Sequence, residues 1–159
     1  MSMKVTVRYN DVYKALEPLR GLKLLGVIPG PPTSRIPLAK IYESLIKSAE
    51  VGREEYRGTR ITAARVDDET FIVCHFGLEE PDDFCVVVGG EKAWDRILEA
   101  ADKLSRLTNE SYTLTIATIL HSLQGIIHGE EGEVEEITDP DQVIEELLTW
   151  LPEYIAVVD

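Results

Sequence analysis

The stretch between Glu110 and Glu130 contains no charged side chain, and this feature constrains the fold more than any other in the sequence. Its first residues alternate as in a strand, but the alternation ends after Ile116. At about 100° per residue, its large apolar side chains fall within an arc of roughly 120°, which favours a helix. They are Tyr112, Ile116, Ile119, Leu120, Leu123, Ile126 and Ile127. Because a helix without a charged face is normally buried on most sides, we expect a largely uncharged helix over about 110–128, central in the fold or at a subunit interface.

The residues that flank this segment and the first predicted helix are typical of helix ends. Asn109 is expected to cap the N-terminus of the uncharged helix, and Gly129 to end it. By the same argument Asn10 is expected to cap a short helix that ends near Gly21. The sequence therefore predicts where both helices begin as well as which faces they bury.

The remaining pattern alternates strands with amphipathic helices and predicts one domain that spans residues 1–159. Strands are predicted at 4–9, 22–28, 59–66, 70–76, 84–88, 133–137 and 154–158. Helices are predicted at 10–19, 38–52, 90–107, 110–128 and 139–151. Asp67, Asp68 and Glu69 join two of the strands as a hairpin. This order favours an α/β (mixed α+β) fold with a single mixed β-sheet and helices packed on it.

Negative charge is concentrated at the end of the chain. The net charge is −13, and the 53 residues after Arg106 contain twelve Asp and Glu but no Lys or Arg. Phosphate backbones and anionic membrane surfaces bind through Lys and Arg, so we expect neither a nucleic acid nor a membrane as partner. We expect a homodimer or a complex with a protein partner, and a basic partner would complement the acidic segment that begins at Glu130.

The composition also bears on compartment and habitat. No apolar run reaches the length of a membrane span, and the first residues do not form an apolar leader. Two cysteines, Cys74 and Cys85, do not indicate a disulfide framework, so a cytoplasmic location is expected. The chain has two Asn and two Gln, and both Met lie in the first three residues, a composition typical of thermophiles.

The best candidate site in the sequence is the connection Pro29–Pro37, which follows a predicted strand and precedes a predicted helix. Open α/β sheets bind ligands at such junctions, where helix amides and hydroxyls receive an anion. The candidate binding residues are Gly30, Thr33, Ser34, Arg35 and Lys40, with Arg35 as the charge partner. The alternative is a stiff connection in which Ser34 caps the helix, because the prolines remove amides that a phosphate cradle needs.

The other polar clusters indicate structural roles. Cys74 and His75 are adjacent on a strand, so they should point to opposite faces, as a buried cysteine and an edge histidine. His121 and His128 would lie about 10.5 Å apart along one helix, too far to share a metal. The acidic run 130–136 is interpreted as a solvated hairpin. No catalytic residue, metal ligand or cofactor is predicted.

Two functions follow from these observations. The first is a non-catalytic interaction or regulatory module that acts through self-association or a protein partner. The second is a binding protein or enzyme for an anionic metabolite or nucleotide, which would use the Pro29–Pro37 loop. Missing catalytic motifs and the polarised charge favour the first.

Overall fold

The alternating pattern of the sequence becomes eight strands and four helices in the part of the chain that the structure describes. The structure is a computed structural model, and it describes residues 5–29, 51–56, 59–76, 84–126, 135–137, 141–150 and 155–158. The strands are β1 (Val5–Arg8), β2 (Leu22–Pro29), β3 (Val51–Tyr56), β4 (Thr59–Asp67), β5 (Thr70–Phe76), β6 (Phe84–Gly89), β7 (Glu135–Ile137) and β8 (Ile155–Val158). The helices are α1 (Tyr9–Leu16), α2 (Ala93–Thr108), α3 (Tyr112–Ile126) and α4 (Asp141–Trp150), and a 3₁₀ turn follows α1 at Glu17–Leu19.

The described strands form two sheets. Six of them form an antiparallel sheet in the order β3-β4-β5-β6-β2-β7, and β1 pairs with β8 in a separate parallel sheet of two strands. The predicted mixed α/β class is confirmed, but the expectation of a single mixed sheet is wrong. The reason is that β2 has β6 on one side and β7 on the other, which leaves no place beside it for β1.

Strand β3 was not predicted, because the predicted helix at 38–52 overlaps its first residues. Val-Gly-Arg-Glu-Glu-Tyr shows no apolar alternation, and its six residues are paired with β4 along their whole length. Pairing with a neighbour therefore determines this strand, and local sequence preference does not. The rest of the predicted helix 38–52 lies outside the described residues.

Helix α3 is the centre of the fold, which confirms the prediction from its missing charges. It packs against α2, α4 and the strands β3, β4 and β6. More than half of its residues are buried: Thr113, Thr115, Ile116, Ala117, Ile119, Leu120, Ser122 and Leu123. Of the two alternatives left open by the sequence, the structure shows burial within the subunit.

The small polar residues of α3 are compatible with burial because their hydroxyls bond to the helix itself. Thr115 donates to the carbonyl of Ser111 over 2.7 Å, and Thr118 donates to that of Leu114 over 2.8 Å. Ser122 donates to the carbonyl of Thr118 over 2.9 Å. These hydrogen bonds satisfy the three hydroxyls within the helix, so α3 can contain polar side chains and still lie in the centre of the fold.

Two predicted helix caps are wrong. Asn109 adopts the left-handed conformation with φ of 58° and ends α2, whereas the hydroxyl of Ser111 accepts the amide of Leu114 over 3.1 Å at the start of α3. Asn tolerates left-handed backbone, which explains its place at a C-terminus. Helix α1 begins at Tyr9, one residue before Asn10. Gly21, with φ of 80°, follows the 3₁₀ turn, close to the predicted end.

Candidate functional site

The loop predicted to bind an anion begins at one end of the six-stranded sheet. Gly30, Thr33, Ser34, Arg35 and Lys40 lie outside the described residues, so the structure does not bring them together or separate them. The structure does describe Pro29, the residue just before Gly30. Pro29, at the end of β2, is in register with Phe84 of β6. The loop therefore begins on the cross-strand row that contains Phe84.

That row leads to a histidine that is buried in the middle of the sheet. Phe84 is opposite His75 of β5, and His75 is opposite Ile61 of β4. His75 is 5% exposed, and β5 has a strand on each side, so the interpretation of His75 as an edge residue is wrong. The prediction that Cys74 and His75 point to opposite faces of the sheet is confirmed, because Cys74 lies in a small apolar cluster and His75 contacts other rings.

Helix α3 supplies a second histidine to this face. The ring centres of His75 and His121 are 4.9 Å apart, and the rings meet edge to face at 65°. Phe84 completes the group, with its ring centre 4.9 Å from that of His121 and 5.2 Å from that of His75. We call His75, Phe84 and His121 the ring cluster. The sequence did not predict it, because its members come from a strand, a second strand and a helix with no common motif.

The other face of the same strand pair carries a disulfide. Cys74 and Cys85 are directly opposite each other on β5 and β6, and their sulfurs are bonded. With Ile72 and Val87 they form a small apolar cluster separate from the main core. Both cysteines are buried as predicted, but the sequence did not predict the disulfide bond between them. Only the register of the two strands reveals the pairing.

A different surface lies at the ends of the chain, where β1 and β8 form the small parallel sheet. Val7 and Ile155 are buried, whereas Thr6 and Arg8 are exposed. Val158, at the end of β8, is 43% exposed, and Leu148 of α4, the element before β8, is 49% exposed. Among the described residues, these two are the exposed large apolar side chains. Tyr9, the residue after β1, donates a hydrogen bond to Asp141 at the start of α4, and we call β1, β8 and the exposed side of α4 the terminal surface.

The charged residues that the sequence pointed to lie on several different strands and helices. The acidic segment contributes β7, which is an edge strand of the six-stranded sheet as predicted. Arg65 pairs with Asp68 in the β4–β5 hairpin, so this arginine neutralises a local carboxylate. Glu145 is exposed on α4 and Arg8 is exposed on β1, so the terminal surface presents one charge of each sign at these exposed positions. His128 and the acidic residues 130–133 lie outside the described residues.

Within the described ranges, no three His, Cys, Asp or Glu side chains are grouped as a metal site would require. None of the helices described is long and apolar enough to span a membrane. A comparison with protein-family profiles, curated proteins and solved structures finds no match to this chain. The function must therefore be argued from the ring cluster and the terminal surface themselves.

Proposed function

We propose that this protein is a non-catalytic interaction module that binds a basic protein segment at its terminal surface. The observation that supports the proposal is the two-stranded parallel sheet. Among the described residues, neither β1 nor β8 has a second strand beside it. A parallel pair is marginal by itself, and parallel sheets are normally extended and covered on both faces.

An open strand offers a row of amides and carbonyls to another chain. Proteins commonly use such edges to bind an extended segment as an additional strand. Exposed apolar side chains next to the edge add the packing that backbone hydrogen bonds alone lack. Val158 lies on β8 itself and is suitable for that role because it is large, apolar and 43% exposed, and Leu148 on α4 is the other exposed large apolar side chain among the described residues.

The charge of the C-terminal segment that contains α4 and β8 favours a basic partner over a second copy of the chain. From Leu107 to Asp159 the chain has twelve acidic residues and no Lys or Arg. Two copies that met through these acidic segments would bring like charges together, which opposes association. A segment rich in Lys and Arg would gain from the same field, and it would bind more weakly at high salt. Since α3 is buried in the subunit, it does not serve as the interface.

Selection of peptides from a displayed library of extended sequences tests this proposal. The wild-type chain is the target, and the double variant Leu148→Lys and Val158→Lys is the counter-target. Selected peptides should be rich in β-branched residues and in Lys or Arg, and the double variant should weaken their binding at least about tenfold. Binding should also decrease between low and moderate salt.

The control for charge is Glu91→Lys, which changes the net charge by the same two units on an exposed turn far along the chain from β8. This variant should bind the selected peptides nearly as the wild type does. An equal loss of peptide binding in Glu91→Lys would show that overall charge determines binding, and it would contradict a binding site on the terminal surface. Light scattering adds a further outcome, because a wild-type dimer that Leu148→Lys dissociates would show that the occupant is a second copy and would contradict the basic partner.

A second candidate function is supported by the position of Pro29. Because Pro29 is in register with Phe84, the Pro29–Pro37 loop begins beside the ring cluster, at the end of the sheet where a ligand could meet both. We propose as the alternative that Arg35 anchors an anionic metabolite or nucleotide there. A ligand at ten times its dissociation constant should stabilise the protein by about 1.4 kcal/mol in a thermal-shift screen. A hit that Arg35→Ala leaves unchanged would contradict it.

The proposal includes a cytoplasmic location and a thermophilic source. Disulfides are rare in the cytoplasm except in hyperthermophiles, so with Cys74 and Cys85 bonded the cytoplasmic location depends on the thermophilic source. Rapid alkylation of thiols in fresh cell extract tests the pairing, since a bonded pair resists modification. Free thiols at both cysteines would contradict a disulfide in the cell.

A further inference from the structure

We propose that the Cys74–Cys85 disulfide is a redox latch, a bond that thiol reagents open or close only when the six-stranded sheet comes apart. The folded protein then keeps the redox state in which its chain folded. Cys74 and Cys85 are directly opposite each other on β5 and β6, the two central strands of that sheet. The latch belongs to the large sheet and does not depend on the proposed interaction at the terminal surface.

The two cysteines are shielded from solvent in the folded chain. Thiol–disulfide exchange begins when an external thiolate attacks one of the two sulfurs, so its rate depends on access to them. Cys74 is 0% exposed and Cys85 is 6% exposed. Each also has a strand on its other side, because Cys74 is opposite Thr62 of β4 and Cys85 is opposite Ile28 of β2. An attacking thiolate therefore has to separate paired strands before it reaches either sulfur.

The surroundings of the disulfide also oppose the charge of the attacking group. With Ile72 and Val87, the two cysteines form an apolar cluster that is separate from the main core. An anion that enters an apolar cluster loses its hydration, and the burial of an uncompensated charge is costly. The same cost opposes the formation of a thiolate at either cysteine when the pair is reduced. Burial and apolar surroundings thus slow exchange in both directions.

The fold does not require one particular redox state of the pair. Strands β5 and β6 are in register from Thr70 opposite Gly89 to His75 opposite Phe84, so backbone pairing holds them together without the disulfide. A reduced cysteine packs as a small apolar side chain, which suits the apolar cluster. The reduced chain is therefore expected to adopt the same fold with lower stability. Two folded forms then exist, and they interconvert only through opening of the sheet.

Reduction of the open chain by dithiothreitol proceeds in two exchange steps. A thiolate of the reagent attacks one cysteine sulfur, forms a mixed disulfide with it and releases the other cysteine as a thiolate. The second thiolate of the reagent then attacks its own sulfur in the mixed disulfide, closes the oxidised ring of the reagent and releases the first cysteine. Two electrons pass to the protein, and the two protons of the reagent end on Cys74 and Cys85. Oxidised glutathione closes the pair by the reverse exchanges and leaves as two molecules of reduced glutathione.

Reduction kinetics test the latch. Dithiothreitol is added to the oxidised chain, aliquots are alkylated, and mass spectrometry counts the free thiols. The folded wild type should be reduced at least about a hundredfold more slowly than the same chain in strong urea, since only its open fraction reacts. Ile61→Ala, at a fully buried position of the main core, should speed reduction by the factor by which it raises the unfolding equilibrium constant. The control Val158→Ala, at a partly exposed position, should change the rate by less than about threefold.

A second measurement starts from both redox states. Chains folded with the disulfide closed and chains folded in dithiothreitol are transferred to one glutathione buffer, and circular dichroism checks that both are folded. The two populations should stay distinct for many half-lives of exchange in the unfolded chain, and they should converge when urea reaches the unfolding transition. Reduction of the folded wild type as fast as that of the unfolded chain would overturn the proposal, as would an unchanged rate in Ile61→Ala. A reduced chain that does not fold, or convergence without urea, would also overturn it.

Discussion

The two sheets of this protein differ in how many of their described strands have a neighbour on both sides. In the six-stranded sheet, four of the strands have a neighbour on both sides, β5 and β6 are joined by a disulfide, and the edge strand β7 contains two glutamates. The two-stranded sheet has four residues in each strand and ends in an exposed valine. The first sheet holds the ring cluster between well-paired strands, whereas in the part of the chain that the structure describes neither strand of the second sheet has a further neighbour, which is the edge that we propose for binding.

Among the described residues, the edge strands of the large sheet contain charged side chains, whereas β8 of the small sheet does not. Glutamates on an edge strand discourage pairing with another chain, which is the role we infer for Glu135 and Glu136 on β7. No comparable charge lies within β8, whose sequence is Ile-Ala-Val-Val. Glu145 is exposed on α4, the helix before β8, and under our proposal the acidic C-terminal segment selects a basic partner without blocking the strand.

The largest expected contrast is in stability. Ile61 of β4 is fully buried in the main core, so Ile61→Ala should lower the free energy of unfolding by about 2–5 kcal/mol. Val158→Ala should change it by no more than about 0.5 kcal/mol, because the side chain is already partly in solvent. Urea denaturation measures both. Similar losses in the free energy of unfolding for Ile61→Ala and Val158→Ala would mean that the small sheet contributes to stability as the large sheet does, and would contradict the contrast between them.

The next contrast concerns the disulfide. Removal of the Cys74–Cys85 bond, by reduction or by the double variant Cys74→Ala and Cys85→Ala, should cost about 3 kcal/mol for residues 11 apart in sequence. Peptide binding at the terminal surface should not change under reducing conditions where the protein stays folded. A parallel loss of binding and of stability would show that the two sheets behave as one unit.

The smallest expected effect is at the contact between the start of α1 and the start of α4. The hydroxyl of Tyr9 donates to the carboxylate of Asp141, which links the segment after β1 to the helix before β8. Tyr9→Phe should lower the free energy of unfolding by about 1 kcal/mol. It should also speed amide hydrogen exchange in β1 and β8 more than in β4 or β5. Uniform acceleration in both sheets would contradict a local role.

The sequence predicted those features that depend on local pattern. The uncharged helix, the β4–β5 hairpin and the acidic edge strand follow from periodicity, turn residues and charge, and all three are present. The features it missed depend on pairing between distant segments. Strand β3 has no alternation of its own, Cys74 meets Cys85 only through strand register, and His75 meets His121 only when α3 lies on the sheet. The loop with Arg35 lies outside the described residues, so that prediction stays a prediction.

Amide hydrogen exchange in the presence of a selected basic peptide tests the central claim most directly. If the peptide adds a strand to the small sheet, the amides of Ile155–Val158 or Val5–Arg8 should exchange more slowly in the complex, since an added strand bonds to the open edge. The edges β3 and β7 of the large sheet should exchange as before. Slower exchange at β3 or β7, with no change in β1 and β8, would contradict the account.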